Sequence, residues 1–218
     1  MTVHFLRDLV QLKKELLILG AMVESSVNNA IVALVNRRPE LAHEIASADD
    51  AIDDKELEVE ELCLKVLALH QPVAADLRFV VAVLKVNSDL ERMGDYAVHI
   101  AERAEFLSKG PALNIPLDYF DKMVKLIQAM VRKVLDSLIN QNAEEAREVV
   151  LMDDEVDELH WRFFDIIMKL AREDPSSVER AFHTLSISRH LERIGDLATN
   201  IAEDVVFMVE GEVIRHKA

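Results

Sequence analysis

Leu90-Glu91-Arg92-Met93-Gly94-Asp95 returns as Leu191-Glu192-Arg193-Ile194-Gly195-Asp196, and both copies run on into an Ile-Ala-Glu triplet, Ile100 to Glu102 and Ile201 to Glu203. Each segment lies in a stretch of helical apolar spacing and sets a Glu and an Asp four residues apart. Positions i and i+4 share one helical face, so like charges stand side by side. In an isolated helix this costs a few tenths of a kcal/mol per pair. A cost written twice asks for an offset, and a bound cation is the simplest one.

The repetition extends well beyond these segments. At an offset of 104, Leu34-Val35-Asn36 matches Leu138-Ile139-Asn140, and Asp49-Asp50 matches Asp153-Asp154. Asp53 matches Asp157 at the same offset, which falls to 103 at Pro72/Pro175 and to 101 at the Glu-Arg-x-Gly-Asp segments. Proline marks the joints: Pro39, Pro72 and Pro175 each open a helical pattern, where a missing N–H is tolerated. Gly110-Pro111 and Pro116 break the chain near its middle. Between the joints, apolar residues recur at three and four spacing, as Leu6, Leu9, Leu16, Val23, Val27, Ile31 and Leu34 do in the first segment. The spacing predicts helices over 5–36, 40–69, 73–108, 117–140, 143–172 and 176–209. Neither amphipathic hairpin would bury its apolar stripe without a third helix, so each unit reads as a three-helix bundle. The expected fold is therefore all-α: six long helices in two tandem, pseudo-symmetric three-helix bundles, divided as 1–110 and 111–218.

Composition agrees. Half of the 218 residues are apolar, with only five Gly and five Pro, which describes a folded helical chain rather than a disordered one. Twenty-five Lys and Arg against 40 acids leave a net charge of −15. That surface is unsuited to nucleic acid and suited to cations or to a basic patch on a protein. The single cysteine, Cys63, falls on an apolar stripe and reads as a small buried hydrophobe. No cationic segment leads into a long apolar one at the N-terminus, and runs such as Leu16–Val23 fall short of the ~18 residues that cross a bilayer. A soluble, cytoplasmic protein is expected.

Four acidic pairs occupy matching places: Asp49/Asp53, Glu91/Asp95, Asp153/Asp157 and Glu192/Asp196. With 40 acids, chance alone gives ~7 such i,i+4 pairs, so duplication at equivalent positions carries the signal. Antiparallel packing of the second helix on the third, and of the fifth on the sixth, would bring each set of four together. Oxygen donors at that density suit Mg, Mn, Ca or iron, and bridging carboxylates can hold more than one ion. His99 and Asn200 extend the two ladders by another turn and predict unequal sites. The bland alternative is a solvated acidic face with Arg92 and Arg193 as internal counter-ions. Gly94 and Gly195 cost ~1 kcal/mol each inside a helix, whether for close approach beside a ligand or for tight packing. Trp161 and Met168 read as core residues. Asp76 and Arg78 read as a helix-start acid and a partner-facing base. A ferritin-like di-iron enzyme needs paired Glu-x-x-His motifs. Here Glu40-Leu41-Ala42-His43 stands alone, with Arg147 in the place of its mate, and Asp157-Glu158-Leu159-His160 is a weaker echo. No P-loop, Rossmann glycine set, nucleophile elbow or Cys-x-x-Cys is present.

Gln71-Pro72-Val73-Ala74-Ala75-Asp76-Leu77-Arg78, with the two Leu-Glu-Arg-x-Gly-Asp segments, resembles the PhoU family of phosphate-transport regulators. The resemblance spans essentially the whole chain. It implies two three-helix bundles in a protein that often dimerises. It implies multinuclear sites for divalent or trivalent metal ions (iron, zinc, manganese or magnesium) on Asp49, Asp53, Glu91 and Asp95 and on Asp153, Asp157, Glu192 and Asp196. It further implies a non-enzymatic cytoplasmic adaptor that restrains phosphate uptake and phosphate-starvation signalling. The expected partners are the phosphate ABC transporter's ATPase subunit and a phosphate-sensing histidine kinase, with contact to the membrane only through them. One departure stands out: after Pro175 only Glu179-Arg180 echoes the Asp-Leu-Arg stretch. A metal-free helical scaffold docking a basic protein partner is the alternative reading.

Overall fold

The computed structural model describes residues 3–211. Six long helices account for nearly all of them: α1 (Val3–Val35), α2 (Glu40–His70), α3 (Ala74–Ser108), α4 (Asp118–Asn140), α5 (Ala143–Glu173) and α6 (Val178–Glu210), with a 3₁₀ turn at Pro175–Ser177 before α6. Local chemistry sets the ends. Asn142 caps α5, its side chain accepting from the N–H groups of Glu144 and Glu145. The side chain of Asp174 accepts from Ser176 N–H to start the 3₁₀ turn. α6 ends on Gly211, in the left-handed region at φ 76°, its N–H bonded to the Phe207 carbonyl. Arg37 and Gln141, equivalent in the repeat, turn the chain after α1 and α4 with φ of 52° and 55°.

α1, α2 and α3 pack on one another, as do α4, α5 and α6; α3 against α6 and α1 against α4 join the two bundles. The α3–α6 junction is the middle of the molecule. Leu90, Met93, Ala97 and Ile100 on α3, like Leu191, Ile194, Ala198 and Ile201 on α6, are fully buried. At ~25 cal/mol per Å² of apolar surface removed from water, such stripes are what hold helices of this length together. Gly20 lets α1 approach α4: a Cβ there would meet the end of the Leu135 side chain.

Several sequence expectations change on this frame. Arg78 has a place in the fold itself, its Nε donating to the Met208 carbonyl (2.8 Å) at the far end of α6. Arg180 does the mirror task, Nη1 donating to the Pro111 carbonyl (2.8 Å) just past α3. The two bases that looked unequal thus lash each third helix to the far end of the other. Lys85 and Asp204 (2.9 Å) add a tie across the same junction. Trp161 is 62% exposed, not core: the apolar stripe of α5 is wider than the neighbours that cover it. Leu6 is likewise exposed. α1 is long and apolar enough to cross a membrane by length and composition, contrary to the run-length expectation, but half of that window is buried in the bundle, as in a core helix.

Candidate functional site

The three-residue link Gln71–Val73 folds α3 back on α2, and the short 3₁₀ connection does the same for α6 on α5. Each antiparallel pair brings its two acidic pairs to one place. Along α2–α3, Asp49 feels the negative charges of Asp53 and Asp95, and Glu91 those of Asp95 and Asp53. Along α5–α6, Asp153 feels Asp157, Asp196 and Glu192. All eight predicted carboxylates therefore fall into two repeat-equivalent clusters.

Glycine sets the depth of both. A Cβ on Gly94 would lie 3.2 Å from Asp49 Oδ1, and one on Gly195 would lie 3.0 Å from Asp153 Oδ1. The absent side chains leave room for a carboxylate to sit against the neighbouring helix. Asp49 Oδ1, Asp153 Oδ1 and Glu192 Oε2 are buried with no hydrogen-bond partner. A buried carboxylate oxygen without a donor is costly. Burial first, and the neighbouring acids second, push Asp153 up to about 7 and Asp49 up to about 6. Glu91, Asp157 and Glu192 are raised for the same reasons in the same order.

The clusters differ in what else they contain. His99, exposed on α3, lies near enough to favour the ionised form of Asp49. Its ring stacks on His190 of α6, with centroids 5.4 Å apart. Asn200 stands exposed a turn beyond Asp196, while its neighbour Thr199 brings a hydroxyl beside Asp153 without closing a well-formed bond. Arg193 Nη1 donates to Asp196 Oδ2 (3.0 Å), so the second cluster carries an internal cation. Arg92 pairs with Asp89 instead (3.7 Å), outside the first cluster.

Sequence reasoning missed one matched pair of latches. Asn87 Nδ2 on α3 donates to the Glu56 Oε1 (2.8 Å) and to the Glu56 carbonyl (2.9 Å) on α2. In the other bundle His160 Nδ1 and Ser188 Oγ share a bond of 2.9 Å. Glu56 and His160 are equivalent at offset 104, and Asn87 and Ser188 at offset 101. The equivalence of the positions is visible when the halves are aligned, but the change of residue type at both of them hides that each pair meets across its hairpin.

Carboxylates gathered from two helices, with Asp49 Oδ1 unpartnered in the first cluster and Asp153 Oδ1 and Glu192 Oε2 in the second, are oxygen donors of the kind that suits hard or borderline cations. Among the described residues, no three His, Cys, Asp or Glu side chains stand in a ready-made ligating arrangement. Each cluster is open, with some acids half-buried and others, such as Asp53 and Asp95, at the surface.

The PhoU domain family matches residues 16–104 and again 120–205, once for each half. The phosphate-specific transport system accessory protein PhoU homolog of Aquifex aeolicus is 37% identical over 97% of this chain and 95% of its own length. The protein of the same description from Deinococcus radiodurans is 38% identical over 87% of this chain and 88% of its own. The crystal structure of PhoU from Pseudomonas aeruginosa superposes with a TM-score of 0.90 at 34% identity, covering 95% of this chain and all of that one. The phosphate transport system regulatory protein PhoU from Streptococcus pneumoniae gives 0.88 at 30% identity, covering 96% and 99%. With the duplicated helices, the twin acidic clusters and these likenesses in agreement, the chain belongs to the PhoU family.

Proposed function

We propose that this protein is a metal-binding, non-enzymatic adaptor that regulates phosphate transport. It acts from the cytoplasm on the ATPase subunit of a phosphate ABC transporter and on a phosphate-sensing histidine kinase, and restrains both uptake and starvation signalling. The carrying observation is the pair of buried, unpartnered oxygens on Asp49 and Asp153, each opposite a mid-helix glycine at equivalent places in a PhoU-family chain. Asp49, Asp53, Glu91 and Asp95, with His99 alongside, would hold metal in the first repeat. Asp153, Asp157, Glu192 and Asp196 would do so in the second, with Asn200 a turn away. A metal held there would supply positive charge between acids of two helices and so would tie α2 to α3 and α5 to α6. The chain's own residues keep those helices in register through the Glu56–Asn87 and His160–Ser188 bonds. The repeats 1–110 and 111–218 are taken as the functional halves, and a homodimer as the working unit.

Elemental analysis of protein purified without an affinity-metal step tests the metal half, with Asp95→Ala/Asp196→Ala as the variant that loses it. No metal at neutral pH, even after loading, refutes it. Pull-down with the ATPase subunit and the kinase tests the adaptor half, which fails if neither is recovered. Light scattering tests the dimer. The metal-free scaffold reading finds support in one place, the Arg193–Asp196 pair, which already brings a cation to the second cluster. On that reading the double variant keeps its partners.

A further inference from the structure

The outer faces of α1 and α2 leave a groove of about 600 Å³ between them. Its walls run over residues 18–29 and 41–52, about three helical turns or ~17 Å each. Small and apolar side chains line it: Ile18, Ala21 and Ser25 on α1, and Leu41, Ala48 and Ala51 on α2. Ser26, also on its wall, is 6% exposed and its Oγ has no hydrogen-bond partner.

The second repeat supplies an internal control. At offset 104, Ile18, Ala21 and Asn29 become Lys122, Lys125 and Lys133, and Leu41, Glu44 and Ala51 become Glu145, Glu148 and Glu155. Lys133 pairs with Glu148, closing that face with opposite charge. Buried positions such as Val23 and Ile127, or Leu34 and Leu138, match in kind, with Ser26 against Met130 an exception. The largest change of chemistry lies on the outer face, which the first repeat alone keeps small and apolar.

Charge says what fits there. From Glu15 to Asn36 and from Glu40 to Asp54 the walls contain eight acids and no Lys or Arg. Glu15, Glu24 and Glu40 pair with Lys55, Arg132 and Arg38, so the negative rim is that of the α2 wall, Glu44, Asp49, Asp50, Asp53 and Asp54. Glu44 lines the groove itself, and Asp50 and Asp54 stand exposed beside it. A helix seated in such a groove is read through apolar anchors at i, i+3, i+4 and i+7, and this rim selects Lys or Arg flanks. We propose that the α1–α2 groove seats a basic amphipathic helix of a partner protein, its apolar stripe on Ile18, Ala21, Ala48 and Ala51 and a Lys or Arg at Glu44. The proposal rests on the adaptor reading above, since it supplies that adaptor with a docking surface. It does not depend on metal.

The probe is a fluorescein-labelled synthetic helix of about four turns with a Leu/Ala stripe and Lys/Arg flanks, beside a twin carrying Glu in place of each Lys/Arg. The full-length protein binds the basic helix at least tenfold tighter than the acidic twin. Ala48→Trp, which fills the groove from an exposed position, weakens it about tenfold, as loss of an interface anchor does. Ala129→Trp, near the equivalent face of the second repeat, leaves it unchanged, and circular dichroism verifies that both variants fold. Equal binding of the twins, no binding of the basic helix, or full binding by Ala48→Trp overturns the proposal. So does Ala48-dependent capture of lipid vesicles in place of peptide. If Ala48→Trp still recovers the transporter ATPase and the kinase, the groove is wrong and the adaptor reading stands. If the wild type recovers neither while binding the basic helix, the adaptor reading is wrong.

Discussion

Asp153→Asn should make the chelator-treated protein more stable at pH 8 and leave it nearly unchanged at pH 4. Burial and three neighbouring acids hold the Asp153 carboxyl at about 7, against an ordinary value of 3.8. Below pH 3.8 the group is protonated in both the folded and the unfolded chain and contributes nothing. As pH rises, the unfolded chain releases its proton first, so the folded state binds the extra proton and loses stability until about pH 7. Above that the loss is constant. At ~1.4 kcal/mol per pH unit across that interval the ceiling is ~4 kcal/mol. The side chain is still partly open to solvent, and screening lowers the expected figure to about 2 kcal/mol. For a chain of this size that is a rise of ~4–8 °C in melting temperature at pH 8. Calorimetry in EDTA at pH 4, 6 and 8 reads it directly. A stabilisation independent of pH, or a loss at pH 8, refutes the reasoning. The sign should reverse with metal present: wild type gains ~2.7 kcal/mol at a hundredfold excess over Kd, and Asp153→Asn gains much less.

Other outcomes follow from the same geometry. Gly195→Ala adds ~1 kcal/mol of helix propensity while its Cβ crowds Asp153 Oδ1 at 3.0 Å. Melting in chelator should hold or rise while metal affinity falls, and a large drop in melting temperature would show that Asp153 has no room to move. Arg78→Ala frees the Met208 carbonyl and removes a charge-assisted bond worth about 1.5–3 kcal/mol. Hydrogen exchange should then quicken over residues 200–210, and unchanged protection there would contradict the lashing role. Cys63 is fully buried, and burial pushes its thiol up to about 12. Iodoacetamide should label the native protein at least ~100-fold more slowly than the urea-unfolded chain; comparable rates would mean that the α2 core opens readily.

The helix boundaries were legible because proline and the apolar period both act locally. The predicted 40–69, 117–140 and 143–172 differ from the observed helices by one residue at an end. The pairing of the acidic clusters was legible for another reason: a short link forces adjacent helices antiparallel, and the repeat stated the same register twice. What escaped depends on which neighbour covers a face. Nothing in the period of α5 reveals that Trp161 lies outside the bundle. Nothing local to Arg78 points to a carbonyl 130 residues away. The acidic pairs likewise reveal nothing of the depth at which Asp49 and Asp153 sit, since Gly94 and Gly195 control it from the opposite helix.

The Glu56–Asn87 and His160–Ser188 latches carry a consequence for redundancy. Asn87 is held twice, on the Glu56 carboxylate and on the Glu56 carbonyl, whereas His160 and Ser188 share a single bond. Glu56→Ala would leave Asn87 its bond to the main-chain carbonyl of residue 56, while His160→Ala would remove the one bond between the second pair. Helices equivalent in place are thus unequal in how much side-chain loss each hairpin absorbs.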